Sequence, residues 1–148
     1  MKAGMLTNRK KILIEWGDCD PAGIVYFPRY FEYCDACTNA LFARAGLPKP
    51  QMMKRYRIAG IPIVGARGRF LVPSRSGDTV VVESHIVEWG RSSFSVHHRI
   101  LRGRELAAEI DEARVWVKQA KGGSERLEGH AVPEEVKRRF VRSSRRRK

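Results

Sequence analysis

The run Trp16-Gly17-Asp18-Cys19-Asp20-Pro21-Ala22-Gly23, followed by an amphipathic stretch that ends at Gly46, constrains this chain more than any other feature. Pro21 fixes φ and Gly23 admits conformations that side chains avoid, so Asp20-Pro21-Ala22-Gly23 reads as a tight turn. Apolar Ile24 to Phe27 then leads to Pro28, a residue favoured at the first position of a helix. From there Phe31, Cys34, Thr38, Leu41 and Ala45 recur at three- and four-residue steps, one face of a helix. Gly46 and Leu47-Pro48 close it, so the spacing predicts a helix over about 28–45.

The remaining pattern is mostly strands. Residues 1–9 read as a flexible start and Ile12 to Trp16 as a first strand, with a short helical turn somewhere in 48–58. Ile63 to Val72 is rich in β-formers, and Pro73 to Asp78 is a turn cluster. Thr79 to Trp89 alternates, placing Val80, Val82, Ser84 and Ile86 on one side. Gly90-Arg91 reads as a hairpin turn, and Phe94, Val96, His98 and Ile100 alternate again. Gly103-Arg104 makes a second turn before a last long strand, Leu106 to Val117, with Ala113, Val115 and Val117 facing one way. Pro133 opens a short helix reaching Phe140. A long helix followed by an antiparallel meander is an α+β pattern, because the helical stripe needs one face of the sheet to cover it. Residues 10–142 are expected to form one domain and 143–148 a basic, disordered tail.

The formal charge of +13 raises the question of an anionic partner. Residues 134–148, however, hold eight Lys/Arg against two Glu, so much of the excess lies in one terminal segment. It reads as a solvated tail, and no nucleic-acid partner is expected. There is no membrane-spanning run and no apolar h-region before Lys11, so a cytoplasmic protein without a membrane partner is expected. Three cysteines fit a reducing compartment. Cys34-x-x-Cys37 has no second pair and lies within the helix pattern, which reads as packing rather than metal or redox chemistry. No metal site is expected.

Asp18-Cys19-Asp20-Pro21-Ala22-Gly23-Ile24-Val25-Tyr26-Phe27-Pro28, with Tyr30 and Asp35 beyond it, resembles the 4-hydroxybenzoyl-CoA thioesterase family. The resemblance runs from about Ile12 to Pro133. It implies a hotdog fold, in which an antiparallel sheet wraps one long helix, and a homodimer, commonly paired again into a homotetramer. It also implies hydrolysis of an acyl-CoA, with the CoA thioester as substrate and no cofactor.

Residue by residue, the resemblance makes Asp20 the nucleophile on the thioester carbonyl or the base that activates water. Either role suits a carboxylate on a rigid turn close to a helix start. Asp18 reads as a stabiliser of that turn. The developing oxyanion needs a donor, and Pro28 has none, so the resemblance points to the backbone N–H of Phe27. It implies acyl contacts from Tyr26, Asp35 and Gly60-Ile61-Pro62, with Asp35 accepting a hydrogen bond from a phenolic hydroxyl. An edge position with a salt bridge is the alternative account of Asp35. Trp89 to Phe94 is similar to the family's phosphate-holding hairpin, which implies CoA contacts from Arg91 and Ser92. Gly90 and Glu128 stand where the family has basic residues; Arg67, Arg69 or Lys118 are candidates to compensate. Two rival readings remain: a thioesterase for short or medium aliphatic acyl groups, and a non-catalytic dimer that binds RNA or membrane.

Overall fold

The computed structural model describes residues 4–123 and 125–141. Strand β1 (Asn8–Leu13) leads through a 3-10 turn, Trp16–Asp18, to helix α1 (Pro28–Arg44) and helix α2 (Lys49–Tyr56). Strands β2 (Ile63–Phe70), β3 (Thr79–Trp89), β4 (Ser93–Arg102) and β5 (Glu105–Val115) follow. The chain ends in a small β6–β7 pair (Val117–Gln119, Leu127–Gly129) and helix α3 (Glu134–Arg138). The five long strands form one antiparallel sheet in the order β1-β3-β4-β5-β2, with α1 packed on one face. This is the hotdog arrangement, and it is α+β.

The alternation expected for β3 and β4 is the one observed. Val80, Val82, Ser84 and Ile86 are buried, as are Phe94, Val96, His98 and Ile100. On α1 the buried face holds Tyr30, Cys34, Cys37, Thr38, Leu41 and Phe42. It is therefore broader than the expected stripe and leaves Phe31 at its rim. Cys34 and Cys37 lie in the apolar cluster with Ile14, Val25, Val80 and Ile110, so they pack. Burial drives the Cys34 thiol far above its ordinary pKa and raises Cys37 to about 11.

Three expectations need correction. The first strand begins at Asn8 rather than Ile12 and ends at Leu13, before Trp16; Met5 also forms a bridge with Val141. Its charged residues Arg9, Lys10 and Lys11 hide the strand from a search for apolar alternation. Arg9 instead reaches across to Glu83 at 2.8 Å. The last long strand stops at Val115, because the Trp116 N–H turns to the Ser92 carbonyl at 2.7 Å. The buried row of β5 is Ala108, Ile110, Glu112 and Arg114, continued by Trp116 just past the strand, while Ala113 and Val115 lie on the other face. The 143–148 tail lies outside the described residues.

Candidate active site

The Asp20 turn is the tip of a miniature hairpin. Cys19 bridges Val25, the Asp20 N–H donates to the Ile24 carbonyl at 2.9 Å, and the Tyr26 N–H donates to the Asp18 carbonyl at 2.8 Å. The Gly23 N–H closes the turn on the Asp20 carbonyl at 2.8 Å, with Gly23 at φ +84°. Ala22 N–H donates to Asp20 Oδ1 at 2.9 Å, the side-chain turn that Asp favours. This fixes one oxygen of the Asp20 carboxylate. Asp18 faces the other way along the chain, accepting the Glu15 N–H on Oδ2 at 3.0 Å, with Arg29 Nε 3.8 Å from Oδ1. Asp18 thus ties the turn to α1.

The helix start supplies a donor. Phe27 has helical φ and ψ, and Pro28 has no N–H. The next two amides fold back, Arg29 onto the Tyr26 carbonyl and Tyr30 onto the Phe27 carbonyl. Among the described residues the Phe27 N–H meets no acceptor. It stands at the positive end of a helix of 17 residues. The exposed Tyr26 and Phe27 rings meet edge to face, and Phe70 of β2 touches Phe27, Tyr30 and Phe31. An apolar cavity of 550 Å³ opens here, lined by Ile24, Phe27, Tyr30, Phe70, Leu71 and Pro73 among others.

Phe27, Phe31 and Asp35 are four residues apart and so form a row on the rim of α1, above β2. Phe31 approaches Gly68, where an added Cβ would come within 3.3 Å of its ring. Asp35 is 52 % exposed and its Oδ1 accepts from Arg114 Nη2 at 2.7 Å. The carboxylate is thus half-exposed and paired, the edge position with a salt bridge that is the alternative account of Asp35. Arg114 is itself buried and donates through Nη1 to the Ile61 carbonyl at 2.8 Å. Gly60-Ile61-Pro62 runs beside the end of β5, with Val115 N–H on the Pro62 carbonyl and Val117 N–H on the Gly60 carbonyl. Asp35 and the 60–62 segment are thus brought together by a residue that the sequence did not single out.

Arg91 and Ser92 lie elsewhere. Their hairpin joins β3 to β4, and the neighbouring Phe94 packs on Phe42 near the C-terminal end of α1. The Asp20 turn contacts the opposite end of the sheet, where Val25 N–H donates to the Ser74 carbonyl. In one chain the two are separated by most of α1, roughly 25 Å of helix. Arg67 and Arg69 pair in register with Asp111 and Glu109 on the sheet face away from α1, which sets them apart from the hairpin. Lys118 lies opposite Glu128 on the β6–β7 pair. Lys137 of α3 does reach the hairpin, with Nζ 3.3 Å from the Gly90 carbonyl, a cation that its position in a terminal helix concealed in the sequence.

A family model of the thioesterase-like superfamily matches residues 14–140. A 4-hydroxybenzoyl-CoA thioesterase of Pseudomonas sp. strain CBS-3 is 38% identical over 126 residues, which cover 81% of this chain and 87% of that protein. A crystal structure of an Asp-to-Asn mutant of 4-hydroxybenzoyl CoA thioesterase, complexed with 4-hydroxybenzoyl CoA, superposes with a TM-score of 0.84 at 32% identity, covering 91% of this chain and 99% of that one. A 1,4-dihydroxy-2-naphthoyl-CoA hydrolase of Synechococcus sp. strain WH7803 is 26% identical, with 84% of this chain and 82% of that protein covered. With the family model matching residues 14–140, 38% identity over 126 residues and the same fold, this chain belongs to the thioesterase-like superfamily, within the 4-hydroxybenzoyl-CoA thioesterase family of thioester hydrolases.

Proposed function

We propose that the protein hydrolyses an aromatic, hydroxybenzoyl-type CoA thioester to the free acid and CoA. The observation that carries this reading is the acceptor-free Phe27 N–H at the start of α1, on the same folded segment as the Asp20 carboxylate. The thioester oxygen sits on the Phe27 N–H and gathers negative charge as the carbonyl is attacked; one such donor is worth about 3–4 kcal/mol in the transition state. Asp20 either attacks the carbonyl carbon, forming a mixed anhydride that water hydrolyses, or takes a proton from attacking water. In both routes the C–S bond breaks and CoA leaves as the thiolate.

Asp35 is eight residues along α1 from Phe27, a rise of about 12 Å. That span suits an aromatic acyl group with its carbonyl on the Phe27 N–H and a ring hydroxyl hydrogen-bonded to Asp35. The aromatic rings of Tyr26, Phe31 and Phe70 supply the walls. A larger hydroxyaryl acyl group is a second reading, favoured by the apolar 550 Å³ cavity beside Phe27 and by the naphthoyl-CoA relatives.

The CoA end calls for a second copy of the chain. β2 is an edge strand, and Val64 and Leu71 beside or within it are exposed. Antiparallel pairing of β2 with the same strand of a second copy sets Ile63 of one beside Phe70 of the other. The 60–62 segment and the Arg91-Ser92 hairpin of one copy then approach the Asp20 turn of its partner. Arg91, Ser92 and Lys137 would hold the phosphates. Hydrolysis of 4-hydroxybenzoyl-, 1,4-dihydroxy-2-naphthoyl-, benzoyl- and hexanoyl-CoA, followed by thiol release, tests the assignment. Preference for a hydroxyaryl thioester is expected; turnover of hexanoyl-CoA alone would replace it by the aliphatic reading.

A further inference from the structure

The inward row of β5 holds two charged residues, Glu112 and Arg114, each 2% exposed, within an otherwise apolar run. Arg114 has three partners: Nε donates to Glu112 Oε1 at 2.8 Å, Nη1 to the Ile61 carbonyl at 2.8 Å, and Nη2 to Asp35 Oδ1 at 2.7 Å. Glu112 Oε1 also accepts the Thr38 hydroxyl at 2.6 Å. Thr38 has one proton and gives it to Glu112, so its oxygen accepts from His98 Nε2–H at 3.1 Å. His98 Nδ1 then accepts the Ser84 hydroxyl at 2.7 Å.

Ser84, His98, Thr38, Glu112 and Arg114 are all buried, and Asp35 is the member of this chain that reaches solvent. A core needing only volume would be served as well by hydrocarbon. What this row supplies instead is a guanidinium held in its plane from two sides, with its third edge aimed at one oxygen of Asp35. Only the planar fork of Arg bridges three acceptors in this way; a Lys ammonium has no such fixed geometry.

We propose that Arg114, held by Glu112 and the Ile61 carbonyl, is a positioning residue for substrate selection: it fixes one oxygen of Asp35 and leaves the other as an oriented acceptor. This rests on the functional reading above and goes beyond it in naming the residue that orients Asp35 for the selection. A carboxylate only accepts, so the ring substituent must bring a proton, as O–H or N–H. A methoxy group or a second carboxylate at the same ring position leaves Asp35 without a donor and is rejected.

The test is the ratio of kcat/KM for 4-hydroxybenzoyl-CoA over that for benzoyl-CoA and for 4-methoxybenzoyl-CoA, in the full-length protein. The variants are Arg114→Lys, Asp35→Asn, the two combined, and Glu112→Gln/Arg114→Met. The last removes both buried charges together and so remains a fair test if the lysine variant fails to fold. Arg114→Lys should lower both ratios about tenfold, through KM for the hydroxylated substrate. In the Asp35→Asn background it should lower them no further, because Arg114 acts through Asp35. Ratios unchanged from wild type in folded Arg114→Lys or in Glu112→Gln/Arg114→Met overturn the proposal while leaving the function intact. A wild-type protein with no preference for the hydroxyl overturns the functional reading and this proposal with it.

Discussion

Ala22 N–H donates to Asp20 Oδ1 at 2.9 Å, so the backbone of the turn orients the carboxylate to which the chemistry is assigned. Asp18, two residues earlier, is held differently. Its Oδ2 accepts the Glu15 N–H at 3.0 Å and its Oδ1 faces Arg29. The two acids therefore have separable roles.

That separation makes a prediction for Asp18→Ala. It should cost about 1 kcal/mol of stability through the lost backbone cap, while kcat at 20 °C stays within several-fold of wild type. Thermal unfolding together with thiol release checks both. A thousand-fold loss of kcat in a folded Asp18→Ala protein would move the chemistry to Asp18.

The proposed β2 pairing is open to a single surface change. Val64 is 66% exposed in one chain, so Val64→Asp should leave the fold of the chain intact. It should nevertheless convert the proposed dimer to monomer in sedimentation and lower kcat/KM about a hundred-fold, since each site would lose the neighbouring copy's hairpin. A monomer with full activity would place the whole site in one chain.

Glu112 gives a pH prediction. Burial alone would raise its pKa, but hydrogen bonds with His98 and Arg114, together with the Arg114 charge, outweigh burial and hold it below the ordinary carboxylate value. As pH falls, the unfolded chain therefore binds this proton before the folded one. The stability it confers is complete above about pH 5 and is lost as pH drops through the lowered folded value. In Glu112→Gln/Arg114→Met that loss should disappear. Urea unfolding of both proteins at pH 7 and pH 3.5 measures the difference. The exposed pairs of Glu83 and Glu109 are common to both and cancel. Equal acid sensitivity in the two would mean that the buried pair does not carry it.

The parts of this molecule that the sequence announces are those written in local backbone chemistry. Pro21, Gly23 and Pro28 impose their dihedrals wherever they stand, so the turn and the start of α1 could be placed from residue types. The β3 and β4 faces followed from strict alternation. The polar chain of Ser84, Thr38, His98, Glu112 and Arg114 could not be assembled in that way, because its members come from three strands and a helix. Apart from the Glu112–Arg114 pair, the members meet partners on other elements, Thr38 lying 60 residues from His98 and 74 from Glu112. The one local sign was the period-two row Ala108, Ile110, Glu112, Arg114 and Trp116, apolar at both ends with charges between. Asp35 is marked by the family resemblance, but its partner Arg114, 79 residues away, is not. Strand β1 was read late for a related reason: an edge strand that carries Arg9, Lys10 and Lys11 has no apolar alternation to display.

The most direct test compares wild type with Asp20→Asn on 4-hydroxybenzoyl-CoA, following thiol release in the first turnover and at steady state. Asn can keep the Ala22 hydrogen bond through its side-chain oxygen, so the turn and the fold should survive while the carboxylate is lost. The predicted result is a kcat at least a thousand-fold lower in a protein with unchanged unfolding temperature. Hydrolysis by Asp20→Asn at a rate near wild type would contradict the assignment of Asp20.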